Sequence, residues 1–241
     1  IKEHYFPLNA DSETAKSIEG QVVGIADKMD TICAVFAAGK KPTGSSDPLG
    51  VRRAALGIIK TILEHGLKLD LSKLIDETLA LLPIQADVKT DVEEFFVQRL
   101  IIFLNNDYSK NVLEACSSIN PCHNLCDYLE RVKAVSGGVD EKLLENANRV
   151  LRILKEEAGD VDTSLFALDA EKQLYQAVQG VNFTGDYKKY LNDLTQINPV
   201  VTKFFDDVLV MDKDEKIKNN RLALLNSLKN KYIMLTDFSK L

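Results

Sequence analysis

Apolar residues return at helical spacing along nearly the whole chain, and that periodicity most constrains the fold. Val22, Ile25, Met29, Ile32, Cys33 and Phe36 recur every three or four residues, the repeat of a single helix face. The same spacing predicts helices over 22–38 and 49–65, the second closed by Gly66 as C-cap. Asp70 is placed to cap a third, whose stripe of Leu71, Leu74, Ile75, Leu79 and Leu82 stops at Pro83. Over 88–104 the apolar residues spread around more than one face, which predicts packing on more than one side. A shorter helix is expected within 105–121, then 122–134, 142–158, 165–178, 186–194, 199–209 and 214–235. No stretch alternates convincingly as a strand, and 208–211 is too short to count. There is no internal repeat or low-complexity tract. The expected class is all-α, a two-part helical array.

With 241 residues, 45% of them hydrophobic, the chain suits one large or two smaller domains, each able to bury a core. Ser136-Gly137-Gly138 interrupts the helical pattern and marks the expected junction. The net charge of −6 excludes a uniform basic field, so contact with nucleic acid must come from local patches. No run approaches ~18 apolar residues, so no membrane span is expected. No signal peptide is visible, and the start at Ile1 suggests a fragment.

Four cysteines in a chain of this size fit reduced thiols better than a disulfide scaffold. Cys116, Cys122, His123 and Cys126 spell C-x5-C-H-x2-C, which invites a zinc reading, but the paired C-x2-C knuckles are missing. Buried thiols near a helix start after Pro121 are the preferred reading, with no metal.

Lys40-Lys41-Pro42-Thr43-Gly44-Ser45-Ser46-Asp47-Pro48 breaks the first helical run. Asp47-Pro48 reads as an N-cap followed by a first-turn proline. Arg52 and Arg53 then fall in the first two turns, where cations oppose the helix dipole unless an anion binds there. The loop lacks the G-x4-G-K-[ST] order of a phosphate-binding P-loop. Two readings stay open: its amides with Lys40, Lys41, Arg52 and Arg53 seat a phosphate or a turn of RNA backbone, or it is a rigid connection whose arginines pair with carboxylates.

Asp27 and Asp30, at i and i+3, share a helix face. As a phosphohydrolase metal site they would need histidines and a His-Asp pair. His4, His65 and His123 are the only histidines, and none precedes an aspartate. The structural alternative has Asp27 or Asp30 bonding Lys28, an arginine or a loop backbone.

From Asp212 to Lys231, six cations (Lys213, Lys216, Lys218, Arg221, Lys229, Lys231) stand against three carboxylates. Lys218, Arg221 and Lys229 are spaced to share one helix side, and Tyr232 is able to stack a base if exposed. Arg149, Arg152 and Lys155, three apart, form a second cationic row. Such stripes are either solvated faces or an RNA surface.

The segment 25–59, IADKMDTICAVFAAGKKPTGSSDPLGVRRAALGII, resembles the ADK-D…KPTGS-DP…RRAALG signature of the bacterial glycyl-tRNA synthetase beta subunit. Glu3-His4-Tyr5-Phe6-Pro7 and the run 204–225 resemble the same family at matching places. The likeness spans the chain, is weakest over about 67–140, and corresponds to the C-terminal part of that subunit. Leu144-Glu145-Asn146-Ala147-Asn148-Arg149-Val150 is similar to the opening of its DALR-type anticodon-binding bundle. Phe204 to Met211 and Asn220-Arg221-Leu222-Ala223-Leu224-Leu225 are similar to its end.

The resemblance implies the C-terminal part of an HD-like domain without metal ligands over 1–66, a helical connection over 67–138, and the anticodon-binding bundle over 139–241. It implies a tRNA-recognition portion of glycine–tRNA ligase, with glycine tRNA and an alpha subunit as partners in a heterotetramer. ATP and Mg would be used by that alpha subunit, so no cofactor and no catalytic residue are expected here. DNA and membrane are not expected partners, and the location implied is cytoplasmic. The expected tRNA contacts are Asn148, Arg149, Arg152, Lys218, Asn220, Arg221, Lys229, Lys231 and Tyr232 on the anticodon side. Lys40, Lys41, Arg52 and Arg53 are expected in the loop patch. Arg221 has the alternative of pairing internally with Asp206 or Asp207. Phe204, Phe205, Leu222, Leu225, Leu228, Ile233 and Leu235 read as core. The rival functions are a helical module that docks a partner subunit and an inactive HD-type phosphohydrolase relative.

Overall fold

Side-chain caps decide where most of the helices begin. A computed structural model of the chain describes residues 2–9, 11–42, 47, 49–84, 86–154 and 159–241, and among them every regular element is helical. In chain order they are α1 (Ile18–Ala37), α2 (Val51–His65), α3 (Leu71–Leu81), α4 (Lys89–Leu104), α5 (Lys110–Cys116), α6 (Leu125–Ser136), α7 (Glu141–Ile153), α8 (Asp169–Gly180), α9 (Tyr187–Asp207) and α10 (Glu215–Ile233). The all-α expectation holds. Ser17, Asp70, Asp140, Asp186 and Asp214 each accept a first-turn amide of the helix that follows, each such cap contributing ~1 kcal/mol. Gly66, at φ +62°, closes α2 as expected.

Several boundaries differ from the sequence reading. Ser17 starts α1 four residues earlier than the apolar stripe suggested. The two helices expected on either side of Pro199 are one, α9. Pro199 lies on the exposed face, where its ring meets water, while Leu194 and Val201 on the inner face are fully buried and hold the helix together. Leu154 leaves helical geometry (φ −87°, ψ 92°) and ends α7; residues 155–158 of the expected extension lie outside the described residues.

The chain divides into two compact units, residues 1–110 with 120–129, and residues 111–119 with 130–241. In the first, α1 packs on α2, α3 and α4, and α4 also packs on α2, α3 and the 3₁₀ turn Pro121–His123. That is the many-sided packing expected of α4. Met29, Ile32 and Cys33 of α1 and Ile58, Ile59 and Ile62 of α2 are all at zero exposure, each buried Ile or Met side chain contributing ~1.5–3 kcal/mol. Gly20 and Gly24 admit the 3₁₀ turn Lys2–Tyr5 against α1: a Cβ on Gly24 would stand 2.9 Å from the His4 carbonyl oxygen.

In the second unit α9 packs on α7 and α8, and α10 lies on the same two helices. Phe204, Leu225, Leu228 and Leu235 are fully buried and Phe205 nearly so, whereas Leu222 is half-buried. Ile233 departs from the expected core and is 41% exposed, because the last turn of α10 turns that position to solvent. Asn146 of α7 donates to Asn198 Oδ1 (2.8 Å) and Thr202 Oγ1 (2.9 Å) of α9, so this buried amide is satisfied rather than costly.

Candidate nucleic-acid interface

The basic stripe of α10 is less of a stripe than its sequence. Arg221 turns inward and is 4% exposed. Its Nε donates to Glu171 Oε1 at 2.8 Å, and its Nη1 donates to Asp212 Oδ2 at 2.7 Å and to the Leu209 carbonyl at 2.9 Å. The partners are thus Glu171 and Asp212, not Asp206 or Asp207. Glu171 completes the knot: its Oε2 accepts the amides of Ala167 (2.8 Å) and Leu168 (2.7 Å). Three of the five N–H donors of this buried guanidinium are thus engaged inside the unit.

Asn220 is also inward, exchanging hydrogen bonds with the backbone of Asp162 (2.8 and 2.9 Å). Tyr232 is fully buried with its ring edge on Phe238, centroids 5.4 Å apart. Burial pushes its phenol pKa up, and the hydroxyl has no hydrogen-bond partner among the described residues. Its expected role as an exposed stacking ring is corrected to that of a core ring, because the last turns of α10 bury it. Asn220 and Arg221 are corrected in the same way, from RNA contacts to internal ties. The sequence placed Arg221 on the same side as its lysines but did not reveal Glu171, an acidic partner fifty residues away.

The remaining α10 cations are at the surface or half-buried. Lys218 pairs with Glu215 at 2.7 Å, a surface pair of little energetic weight. Lys229 and Lys231 are half-buried, and the Lys231 carbonyl accepts the Tyr190 hydroxyl at 3.0 Å.

On α7 the picture reverses. Asn148, Arg149 and Arg152 sit on one face, with both arginines exposed, and none of the three is hydrogen-bonded or ion-paired among the described residues. Together with Leu144, Glu145 and Ile153 they line an open cleft of about 640 Å³. Arg149 lies over the Phe205 ring, 4.1 Å from its centroid. Phe205 was expected only as core; nothing in local spacing announces that a ring on α9 would support an arginine on α7. Lys155, the third member of this cationic row, lies outside the described residues.

In the first unit, Asp47 takes the place expected for a bound anion. The αL residue Gly50 (φ +69°) precedes α2 and offers no side-chain cap. Asp47 reaches over it, its carboxylate accepting the amides of Arg52 (3.2 Å) and Arg53 (3.3 Å). The helix therefore starts at Val51 rather than directly after Asp47, and an internal carboxylate offsets the dipole. Arg53 also pairs with Asp47 at 3.8 Å, and Lys41 with Asp91 at 2.5 Å; Lys40 is exposed. Thr43, Gly44, Ser45, Ser46 and Pro48, whose amides were expected to seat a phosphate, lie outside the described residues. Arg99 of α4, absent from the sequence reading, lies over Phe95 at 5.8 Å. Desolvation, then the charge of Arg52, lowers its pKa.

The phosphohydrolase arrangement does not assemble. Asp27 and Asp30 are exposed, and Lys28 between them turns to backbone instead, donating to the carbonyls of His4 (2.9 Å), Phe6 (3.2 Å) and Gly24 (3.3 Å). His65 meets Thr14 at 2.9 Å and His123 faces Asp70 at 3.4 Å. Among the described residues no three His, Cys, Asp or Glu side chains come together as metal ligands. Cys116 instead contacts Thr236, Cys122 the Glu93 carbonyl, and Cys126 the Ile62 and Leu67 carbonyls. No helix among the described residues is long and apolar enough to cross a membrane.

Comparison with known proteins picks out two regions of the chain. Residues 1–118 match the family described as glycyl-tRNA synthetase beta subunit, and residues 143–232 match the DALR anticodon binding domain. The glycine–tRNA ligase beta subunit of Geobacter metallireducens is 38% identical over the whole of this chain, and that of Vibrio campbellii 35%. The corresponding subunit of Desulforapulum autotrophicum is 33% identical, again over the whole chain. The chain spans 37–38% of the length of these relatives. Both matched regions and the full-length alignments agree: the chain belongs to the glycyl-tRNA synthetase beta subunit family and carries that family's helical DALR anticodon binding domain in its second half.

Proposed function

We propose that this chain is the tRNA-recognition portion of a glycine–tRNA ligase beta subunit, acting on glycine tRNA in the cytoplasm. The observation that carries the reading is the α7 face, where Asn148, Arg149 and Arg152 are unpaired among the described residues beside an open cleft. Exposed, unpaired arginines retain every donor for phosphate and base edges. Lys218, Lys229 and Lys231 extend the positive surface on α10, and Lys40, Lys41, Arg52 and Arg53 supply a second patch in the first unit. In a chain of net charge −6, such patches select where an RNA backbone settles.

Amino-acid activation belongs in this reading to an alpha subunit, which uses ATP and Mg; this chain contributes by positioning the acceptor end in its partner's site. The test is binding of the chain to glycine tRNA and to an anticodon-mutated glycine tRNA at two salt concentrations. Tighter binding of the native anticodon, weakened by salt, is the expected result. Equal, weak binding of both RNAs would reduce the surface to a generic basic one.

A partner-docking role has one observation in its favour. Leu209 and Met211 are 71% and 54% exposed on a segment that Arg221 anchors through the Leu209 carbonyl. Absence of tRNA binding at either salt would favour that role.

A further inference from the structure

The last residues of the chain form a strap across the second unit. After α10, Leu235, Thr236 and Phe238 turn inward, with exposures of 0%, 0% and 1%; a terminal segment stays ordered in this way only when it is tied down. The ties run to α5. The Asp237 amide donates to the Ala115 carbonyl at 3.1 Å, and the Cys116 thiol donates to the Thr236 hydroxyl at 3.6 Å. Ala115 and Cys116 end α5, where carbonyls have no partner within the helix. The strap takes up the first, and Arg131, 1% exposed, takes up the second at 2.9 Å. Asp237 also caps the closing 3₁₀ turn Phe238–Lys240, its carboxylate accepting the Ser239 amide at 3.1 Å and hydroxyl at 2.6 Å.

The strap bears on the helix that carries the unpaired arginines. α7 packs on α9, on α10 and on the turn Phe238–Lys240, and Phe238 is the buried residue of that turn. α9 and nearly all of α10 lie within residues 143–232, matched to the DALR domain, whereas α5 and residues 233–241 lie outside them. The support under α7 is thus completed by residues from beyond that match. Close-packed interiors pass displacements from one side chain to the next, so a void under α7 shifts the outer face of the same helix. We propose that Phe238 is a positioning residue for RNA recognition: held on α5 through Thr236 and Asp237, it fixes where α7 presents Asn148, Arg149 and Arg152. A supporting layer loose by about 1 Å is enough to weaken such a site. The inference rests on the tRNA-binding reading above and gives the strap a task beyond stability.

The test compares the unaltered chain with Phe238→Ala, Phe238→Leu and Leu174→Ala. Leu174 is fully buried in α8, which packs on α9 and α10, so its truncation weakens the same unit from another helix. Melting curves set a temperature at which all four proteins remain folded. There, hydrogen exchange should show lost protection in α7 for Phe238→Ala and not for Leu174→Ala. Affinity for glycine tRNA should fall about tenfold for Phe238→Ala, and by less than about twofold for Phe238→Leu and Leu174→Ala. If Phe238→Ala does not fold, Phe238→Val replaces it, with a loss of about fivefold expected. Unchanged affinity, unchanged α7 protection, or equal losses of affinity on truncating Phe238 and Leu174 would overturn the positioning role and leave the strap as core packing. Failure of the unaltered chain to bind glycine tRNA would overturn the tRNA reading itself, and the role with it.

Discussion

Arg221 and Glu171 meet at 2.8 Å inside the second unit, the arginine 4% and the glutamate 1% exposed. Fifty residues of chain separate them, and the pair ties the N-terminal turn of α8 to α10 and, through the Leu209 carbonyl and Asp212, to the connection after α9. Glu171 Oε2 accepts two backbone amides and Arg221 Nη1 donates to a carbonyl and a carboxylate, the kind of added hydrogen bonding under which a buried ion pair is tolerated.

Removing one member should therefore cost far more than removing both. Arg221→Met is expected to destabilise the chain by ~3 kcal/mol or more, since Glu171 is left as a buried, unpaired charge. Arg221→Met with Glu171→Gln should lose less than the sum of the single changes. Urea unfolding of the four proteins measures the coupling. Simple additivity would show that the pair does not act as a unit.

The same knot gives the chain an acid-sensitive element. The Asp214 amide, and then the Arg221 guanidinium, hold the Asp212 carboxyl below the usual carboxylate range. A group with a depressed folded pKa binds fewer protons when folded. Its stabilisation is thus fully present above the unfolded pKa of about 3.9 and disappears as pH falls through the folded value. Asp212→Asn should be less stable than the unaltered chain at neutral pH, and the difference should shrink as pH falls below about 3.9. Urea midpoints across that range check the sign; a gap that widens on acidification would contradict it.

Thiol chemistry separates the cysteines. Burial pushes both the Cys33 and Cys122 thiols up to about 12, with exposures of 0% and 1%, so neither presents thiolate at neutral pH. Cys126 is half-buried. Alkylation of the native chain followed by mass spectrometry should modify Cys126 first, and Cys33 and Cys122 only once the chain unfolds. Prompt native labelling of Cys122 would contradict the packing around Pro121–His123.

How much of this was legible follows from the range of each interaction. Asp70, Gly66, Asp186 and Asp214 act on amides or carbonyls within a few residues, so their helix boundaries could be read directly from the sequence. Pro199 misled because a proline's lost hydrogen bond is local, whereas the burial of Leu194 and Val201 that outweighs it is tertiary. Arg221 and Lys218 look alike by spacing, and only Glu171 and Asp212 decide that one turns inward. Tyr232 sits beside a lysine in sequence and against Phe238 in space. Conversely, Arg149 and Arg152 were legible as one row because they share a helix, and Asn148 came with the family resemblance; that Arg149 rests on Phe205 was not legible, since the ring comes from α9.

In the proposed function the α7 face, not the inward arginine of α10, holds the RNA. The most direct measurement is the slope of log affinity against log salt for glycine tRNA, with the unaltered chain and with Arg149→Ala/Arg152→Ala. Each phosphate contact contributes about 0.7–0.9 to that slope, so the double variant should bind more weakly and with a slope shallower by about 1 to 2. An unchanged affinity and slope, in a variant that still melts like the unaltered chain, would mean that the RNA is held elsewhere.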